Sequence, residues 1–425
     1  MAFLNCAAPV GIAATIFFLC TAPTPGVAAT VYSVARGADG SRTVSVKVDR
    51  PKGSPSTTLV LRGAHFGIPI QGQLRDVARD GRPLESASAG SWSVPAGCRR
   101  LSWIVPLDLP EASDASAQRS IASADGSFCL FSEAASLPRL MDTDGPEMLA
   151  VAGARSGEVV PRPGPRGTIA LPRSEDPPLF VLLGAQAAAK RSAGKINLAY
   201  YLDDPTKVAM LPSIDTVLRG LEWLSSLAPA ARNLAFSDVW LGLPPDASSA
   251  GGATGSGLIR VNYLRAAPAD PLKAAAIEAV PLIEATHQFG LSYGLRPQWV
   301  EESVATYFGA AALIHAQPDQ SEPKRLLAKW ETDAAHYSFG LLEAQRRVAQ
   351  GDTAAYGAYF TKGVAFWSAL DAAMRAAGNN RGLASRLPQI WTASYEHDGR
   401  PPANFSATLG LSPDDWQRLS EQFLE

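Results

Sequence analysis

The chain is poor in the residues that would make several functions easy to read. It has 425 residues but only four cysteines and five histidines. So sparse a supply excludes a disulfide-dense scaffold and a Cys/His-rich zinc module. Only 18% of the residues are charged, the net charge is −2, and no dense run of Lys and Arg with interleaved aromatics occurs. The electrostatic footprint of a nucleic-acid binder is therefore missing, and no nucleic-acid partner is expected. After Ala29 no apolar stretch approaches the roughly 18 residues of a membrane span, so no transmembrane segment is expected in the mature chain. No internal repeat occurs. The Gly-rich run 251–257 lacks the Lys-Ser/Thr ending of a phosphate-binding loop.

What is present starts with an apolar run at residues 10–19 (VGIAATIFFL), followed by the small residues Val27-Ala28-Ala29. That pattern is an export signal with cleavage after Ala29. Its rival is an uncleaved N-terminal anchor, against which the shortness of the run counts, since a span takes about 20 residues. A periplasmic or extracellular location follows. Cys6 and Cys20 fall in this leader, which leaves Cys98 and Cys129. In an exported protein such a pair suggests one disulfide, with two separate buried thiols as the other reading.

A 46% hydrophobic chain of this length supports two or three domains. Short β-branched runs at 31–34, 43–48, 57–61, 101–105 and 128–131 are separated by Gly, Pro, Asp and Ser, with an Asp-Gly turn at 80–81. They predict a β-sandwich-like domain over 30–150. Residues 151–194 read as a connector and linking strand, and the Pro/Gly/Arg-rich stretch 153–177 as loop. Strands are expected at 178–184, 196–202, 239–243 and 258–263, with a flexible loop at 248–257. Beyond Asp270-Pro271, a cap and first-turn proline, the pattern turns helical, near 298–316, 322–333, 339–349, 354–377 and 413–424. Pro281 is expected to kink or restart its helix, and Gly290 to end it. The fold class is α+β, with 195–425 as the mostly helical domain.

The sharpest chemical signal is Ile283-Glu284-Ala285-Thr286-His287-Gln288. On a helix, positions 283 and 287 share a face with Glu284 beside it. Two histidines so spaced grip a zinc ion, and a Glu next to the first takes a proton from zinc-bound water. Here the first position is Ile283. Downstream follows Trp299-Val300-Glu301-Glu302-Ser303-Val304-Ala305-Thr306-Tyr307-Phe308. Together the two stretches resemble the gluzincin peptidases, in particular the aminopeptidase N and glycyl aminopeptidase families. Their signature is His-Glu-x-x-His, then Trp-Leu-x-Glu-Gly-x-Ala-x-Tyr-Phe on the next helix. Segments around Asp80-Gly81 and Trp92-Ser93-Val94 also resemble the β domain of the glycyl aminopeptidases.

The resemblance implies a thermolysin-like peptidase domain. It places His287 and Glu302 at two zinc-ligand positions, Ile283 at the lost third, and Glu284 at the general-base position. Gly252-Ala253-Thr254-Gly255-Ser256 takes the place of a substrate-binding loop, with Gly255 where an amine-binding Glu is expected. Phe360, in Tyr359-Phe360-Thr361-Lys362-Gly363, takes the place of the oxyanion-binding Tyr, and Ser303 that of a glycine. Tyr359 points about 100° away from Phe360 on a helix. A catalytic zinc takes three protein ligands plus water, and an oxyanion donor is worth about 10²–10³ in rate. Nothing in the spacing of His65, His315, His336 or His397 offers a replacement ligand. The expectation is a pseudopeptidase that holds no cofactor and binds a peptide or protein partner. The alternative is a divergent zinc-dependent aminopeptidase with an unrecognised ligand. A third possibility is that the β domain carries the function. The sequence leaves the oligomeric state open.

Overall fold

The computed structural model describes residues 29–37, 41–62, 74–107, 119–123, 126, 128–141, 145–153, 157–173, 176–184, 186–231, 234–243, 251–265 and 268–425. Residues 1–28 of the expected signal at 1–29, with Cys6 and Cys20, lie outside them, as do His65 and residues 248–250 of the Gly/Ser-rich loop.

The N-terminal part contains β1 (Thr30–Arg36), β2 (Thr43–Asp49), β3 (Thr57–Val60), β4 (Arg75–Arg79), β5 (Arg82–Pro83), β6 (Ser86–Ser88), β7 (Ser91–Val94), β8 (Arg100–Pro106), β9 (Ile121–Ala122), β10 (Cys129–Ser132), α1 (Glu133–Ser136), β11 (Arg139–Leu140), β12 (Glu147–Val151), β13 (Val159–Val160), β14 (Thr168–Ala170) and β15 (Phe180–Leu183). A seven-stranded sheet has the order β14-β12-β1-β2-β8-β4-β5. Two four-stranded sheets, β13-β15-β10-β9 and β11-β3-β7-β6, accompany it. Alternation decides the faces: in β2, Val44, Val46 and Val48 are buried while Lys47 and Asp49 are exposed. Tyr32, Val46 and Trp103 of the large sheet share one core with Leu59, Trp92, Phe131 and Val181 of the smaller ones. The β4–β5 turn is the expected Asp-Gly pair, with φ of 47° at Asp80 and 79° at Gly81. Positive φ at both central residues is what a two-residue hairpin of type I′ requires.

The expected disulfide does not form: Cys98 and Cys129 are both free and buried. Cys98 sits in the turn before β8, its thiol 3.5 Å from the Arg100 carbonyl. Cys129 lies within β10, paired with Leu183 on one side and Ala122 on the other. Each thiol is thus fixed by a different piece of sheet. Burial raises the pKa of Cys98 and pushes that of Cys129 up to about 12, which leaves both in the unreactive thiol form.

The C-terminal part contains β16 (Ala189–Ala193), β17 (Ile196–Leu202), α2 (Ile214–Leu227), β18 (Ala235–Leu243), β19 (Gly252–Gly255), β20 (Leu258–Leu264), α3 (Pro271–Gly290), α4 (Gln298–Ala316), α5 (Ser321–Asp333), α6 (Leu341–Ala349), α7 (Gly357–Ala376), α8 (Leu387–Thr392), α9 (Phe405–Leu409) and α10 (Pro413–Phe423). Its sheet runs β16-β17-β18-β20-β19, with β17, β18 and β20 parallel and the two edges antiparallel. One face, with Leu198, Trp240 and Val261, packs into the helical core. The other, with Tyr201, Val239 and Leu241, meets Leu130, Phe180 and Leu182 of the N-terminal sheets. The stretch read as connector is built into both parts: β13 to β15 pair in the N-terminal sheets, and β16 edges the C-terminal one. Among the described residues no helix is long and apolar enough to cross a membrane.

α3 begins as expected, with Asp270 accepting from the Leu272 N–H at 2.9 Å. It does not restart at Pro281 but continues to Gly290. The lost hydrogen bond and ring clash cost about 3 kcal/mol, and burial of Val280, Leu282, Ala285 and Phe289 in the helical core offsets it. β19 replaces an expected flexible loop, because its residues pair with β20 from Gly252↔Val261 to Gly255↔Leu258.

Two outcomes test this packing. Gly309 of α4 lies so close to α3 that a Cβ there would stand 2.6 Å from the Ile283 nitrogen and 2.7 Å from its Cα. Backbone cannot yield cheaply, so Gly309→Ala should destabilise the chain by about 1–3 kcal/mol in denaturant unfolding. Asp238 of β18 is buried with neither carboxylate oxygen hydrogen-bonded among the described residues. Burial first, then Glu284, raises its pKa well above the ordinary carboxylate value. A folded-state pKa above the unfolded value of about 3.9 means stability falls as pH rises from there. Asp238→Asn should therefore match the wild-type melting temperature below about pH 4 and exceed it increasingly toward pH 8.

Candidate active site

The site forms where α3, α4, β19 and the start of α7 converge. A helical turn brings Glu284 and His287 to the inner side of α3, and α4 places Glu301 and Glu302 opposite. His287 Nδ1 lies 3.3 Å from Glu301 Oε1, and Nε2 lies 3.6 Å from Glu302 Oε2. Arg296, in the loop between the helices, forks onto Glu301 Oε2 through Nε at 2.6 Å and Nη2 at 2.5 Å. The row Arg296–Glu301–His287–Glu302 alternates in sign. Burial alone would lower the His287 pKa, but Glu302 and then Glu301 outweigh it and hold it well above the ordinary histidine value. Burial likewise works to raise Glu301, and Arg296, followed by His287, brings it below the usual range.

Glu284 is held from the sheet side. Thr254 Oγ1 lies 2.7 Å from the Glu284 backbone oxygen and 2.6 Å from its Oε2. The Thr254 hydroxyl is the donor, its one proton shared between the two oxygens. Burial pushes the Glu284 pKa up to about 7, with His287 and Thr254 opposing it. Gly252 makes the approach possible: a Cβ there would stand 2.7 Å from Glu284 Oε1. A cavity of about 90 Å³ remains, lined by Pro177, Ala253, Thr254, Glu284, His287, Leu291, Glu301, Glu302 and Tyr356.

The remaining sequence candidates fall outside that cavity. Ile283 joins the packing around the helical core and lies against Gly309. Gly255 faces away: a Cβ there would stand 2.5 Å from the Phe180 ring and 2.7 Å from the Pro178 carbonyl. Its own carbonyl accepts from Gln288 Nε2 at 3.2 Å. Phe360 is half-buried with its ring 5.2 Å from that of Tyr356. Tyr359 is buried, its hydroxyl without a partner among the described residues. The tyrosine that lines the site is Tyr356. Burial, then Glu302, raises its pKa well above the ordinary value. The sequence reading misses Tyr356, which stands four residues before Phe360, a spacing that would place both on one helical face. Thr254, Arg296 and Glu301 carried no comparable signal, since their roles depend on contacts across elements.

The donor set does not fit a catalytic zinc ion. Three protein ligands are needed, and Ile283 has no donor atom. Among the described residues no group of three His, Cys, Asp or Glu side chains is placed to hold a metal. His315 stacks on Trp223 with ring centroids 5.6 Å apart, and neither His336 nor His397 lines the cavity.

The segment Asp176–Phe180 runs past the end of β19. The Ser256 N–H donates to the Pro178 carbonyl at 2.8 Å, and Leu179 bridges Ser256. From the N-terminal side the Glu133 N–H donates to the Leu179 carbonyl at 2.9 Å, and Arg62 binds both Glu133 and the Asp176 carbonyl. One strap thus joins the two parts at the mouth of the site.

As a whole, the chain is similar in structure to an aminopeptidase N family protein from Idiomarina loihiensis. The TM-score is 0.59 at 14% identity, over 93% of this chain and 73% of that one. A two-domain M1 zinc metallopeptidase mutant bound to L-arginine gives 0.51 at 14% identity, over 94% of each chain. An M1 zinc metallopeptidase mutant from Deinococcus radiodurans, bound to a Tyr-Ser-Ala substrate, gives 0.50 at 15% identity over 94% of each. No family model and no curated protein matches the sequence. The likeness carries the fold alone: a β-rich N-terminal part followed by a helical C-terminal part, as in those two-domain neighbours.

Ser303, where the related signature has glycine, is explained by packing. Its Oγ donates to the Trp299 carbonyl at 2.5 Å and accepts from Trp367 Nε1 at 2.7 Å. Ser303→Ala should leave a buried indole N–H unpaired and cost about 1–3 kcal/mol in denaturant unfolding.

Proposed function

We propose that the chain is an exported, peptidase-like protein that binds a peptide or protein partner in the old cleft without cutting it. The observation that carries this reading is Ile283. It takes the place of a zinc ligand and is spent on the packing of α3 against α4. Two further positions point the same way. Phe360 offers no hydroxyl, and the Gly255 position is filled by Phe180 and Pro178, so no acidic side chain stands there. Peptides are favoured as ligands because the structural neighbours hold L-arginine in one case and a Tyr-Ser-Ala substrate in another. The apolar run at 10–19 and the small residues before Thr30 support export.

The test is metal content after zinc exposure and buffer exchange, measured on the natural chain and on Ile283→His. The natural chain should retain none. The variant should approach one equivalent, because His287 and Glu302 already stand 3.6 Å apart across the two helices. Near-stoichiometric zinc in the natural chain, with zinc-dependent peptide cleavage, would overturn the proposal in favour of a divergent zinc peptidase.

A further inference from the structure

The seven-stranded N-terminal sheet ends, along one edge, in a concentration of positive charge. β2 leaves it at Asp49-Arg50, β8 enters at Arg99-Arg100, and the β4–β5 turn lies beside them at 79–82. Backbone bonds fasten these segments together. The Arg50 N–H donates to the Arg99 carbonyl at 2.8 Å, and the Asp80 N–H to the Arg100 carbonyl at 2.9 Å. No run in the sequence marks the cluster, because its members come from residues 47–52, 79–82 and 99–100. Those segments hold seven Lys and Arg against two Asp, a balance of +5 in a chain of net charge −2, which leaves −7 for the rest.

The two acids do not neutralise the edge. Asp49 pairs with Arg100 at 2.6 Å. Asp80 turns its carboxylate onto backbone, accepting from the Arg99 N–H at 3.1 Å and the Arg100 N–H at 2.9 Å. Lys47, Arg50, Lys52, Arg79, Arg82 and Arg99 form no ion pair among the described residues. Of these, Lys47, Lys52, Arg82 and Arg99 are exposed. A depression of about 730 Å³ opens here, lined by Lys47, Arg50, Arg99 and Arg100, by Asp49 and Asp80, and otherwise only by Gly81 and Ser102. It offers no apolar side chain, and so no pocket for the aromatic anchors on which protein partners depend. An anionic lipid surface needs no such anchor, since it attracts each nearby Lys or Arg separately.

The chain also enters the sheet on this edge. Thr30 begins β1, and Tyr32 lies opposite Val48, next to Asp49. The apolar run at 10–19 ends eleven residues before Thr30, within about 40 Å of fully extended chain. When that run enters a bilayer as an export signal, the edge it brings to the lipid surface is the basic one.

We infer that this edge docks on an anionic lipid surface, its six unpaired cations meeting phosphate headgroups. The same surface repels the negative remainder of the chain, so the attachment is oriented.

The test is co-sedimentation of the full chain with vesicles of phosphatidylcholine alone, or with roughly a third replaced by phosphatidylglycerol. Neutral vesicles report what the leader contributes, so the excess on anionic vesicles belongs to the edge. That excess should be large at low salt and vanish near 1 M, where the screening length is about 3 Å. The triple variant Lys47→Glu, Arg82→Glu, Arg99→Glu should lower partitioning on the order of a hundredfold, about fivefold for each cation removed. Lys190→Glu, Lys195→Glu, Lys324→Glu makes the same change in net charge elsewhere and should keep most of the excess. All six side chains are exposed, so both variants should melt with the natural chain. Equal binding to anionic and neutral vesicles, or equal loss in the two triple variants, would overturn the inference. So would release by inorganic phosphate at matched ionic strength, which would make the depression a site for a free anion.

Discussion

The close crossing of α3 and α4 is the constraint on which the rest of the site depends. Gly309 sits against the backbone of Ile283, and a side chain larger than hydrogen would force the helices apart. That contact sets the separation at which His287 faces Glu301 and Glu302. It repeats on the far side of α4, where Gly363 of α7 closes on Ser303. Three helices are thus layered through glycines, and Trp299, Phe366 and Trp367 pack beside the layer, with the two indoles stacked at 5.9 Å. Ile283 suits this place because an aliphatic side chain adds contact where the helices meet. The side chain at 283 thus contributes to packing and offers no donor atom to the site.

Within that frame the polar groups satisfy one another. Arg296, Glu301, His287 and Glu302 form a row of alternating charge, and Thr254 bonds to the Glu284 carboxyl beside it. Buried charges are tolerated when paired in this way, and breaking one pair leaves an uncompensated charge behind. The same arrangement ties the site to its loop. Arg296 holds Glu301 with two nitrogens and, with a third, the loop backbone at Gly290 and Gly294. The wall opposite is supplied by the strap at Asp176–Phe180, which belongs to both parts of the chain. Site, loop and strap form one mechanical unit built on the apolar contact between the N-terminal sheets and β17, β18 and β20.

Much of the architecture was legible in local patterns. Short β-branched or apolar runs between turn residues marked β1, β2, β8, β10 and β17, caps marked α3 and α10, and a helical pattern marked α4, α5, α6 and α7. These signals are local, since alternation, capping and helical repeat act within a few residues. The paired motif on α3 and α4 was legible for the same reason, and it named Glu284, His287 and Glu302, which the fold brings to one cavity. Composition misled where pairing overrode it. The Gly-rich stretch became β19 because β20 supplies its hydrogen bonds, and the Pro/Gly/Arg-rich stretch became strands of two sheets.

Only the tertiary structure could decide the rest. Cys98 and Cys129 stay apart because separate strand systems fix them. Tyr356, not Tyr359, lines the cavity, because it precedes α7 where the chain passes α3 and α4. Gly255 is closed off by residues some 75 positions earlier in the chain, Pro178 and Phe180, and no spacing rule reaches that far. By itself the sequence determined the periodicities, the caps and the identity of the donor atoms, including the absence of one at Ile283. Which groups meet, at what distance and in what charge state, was decided by packing, because burial and pairing energies exist only once distant segments touch.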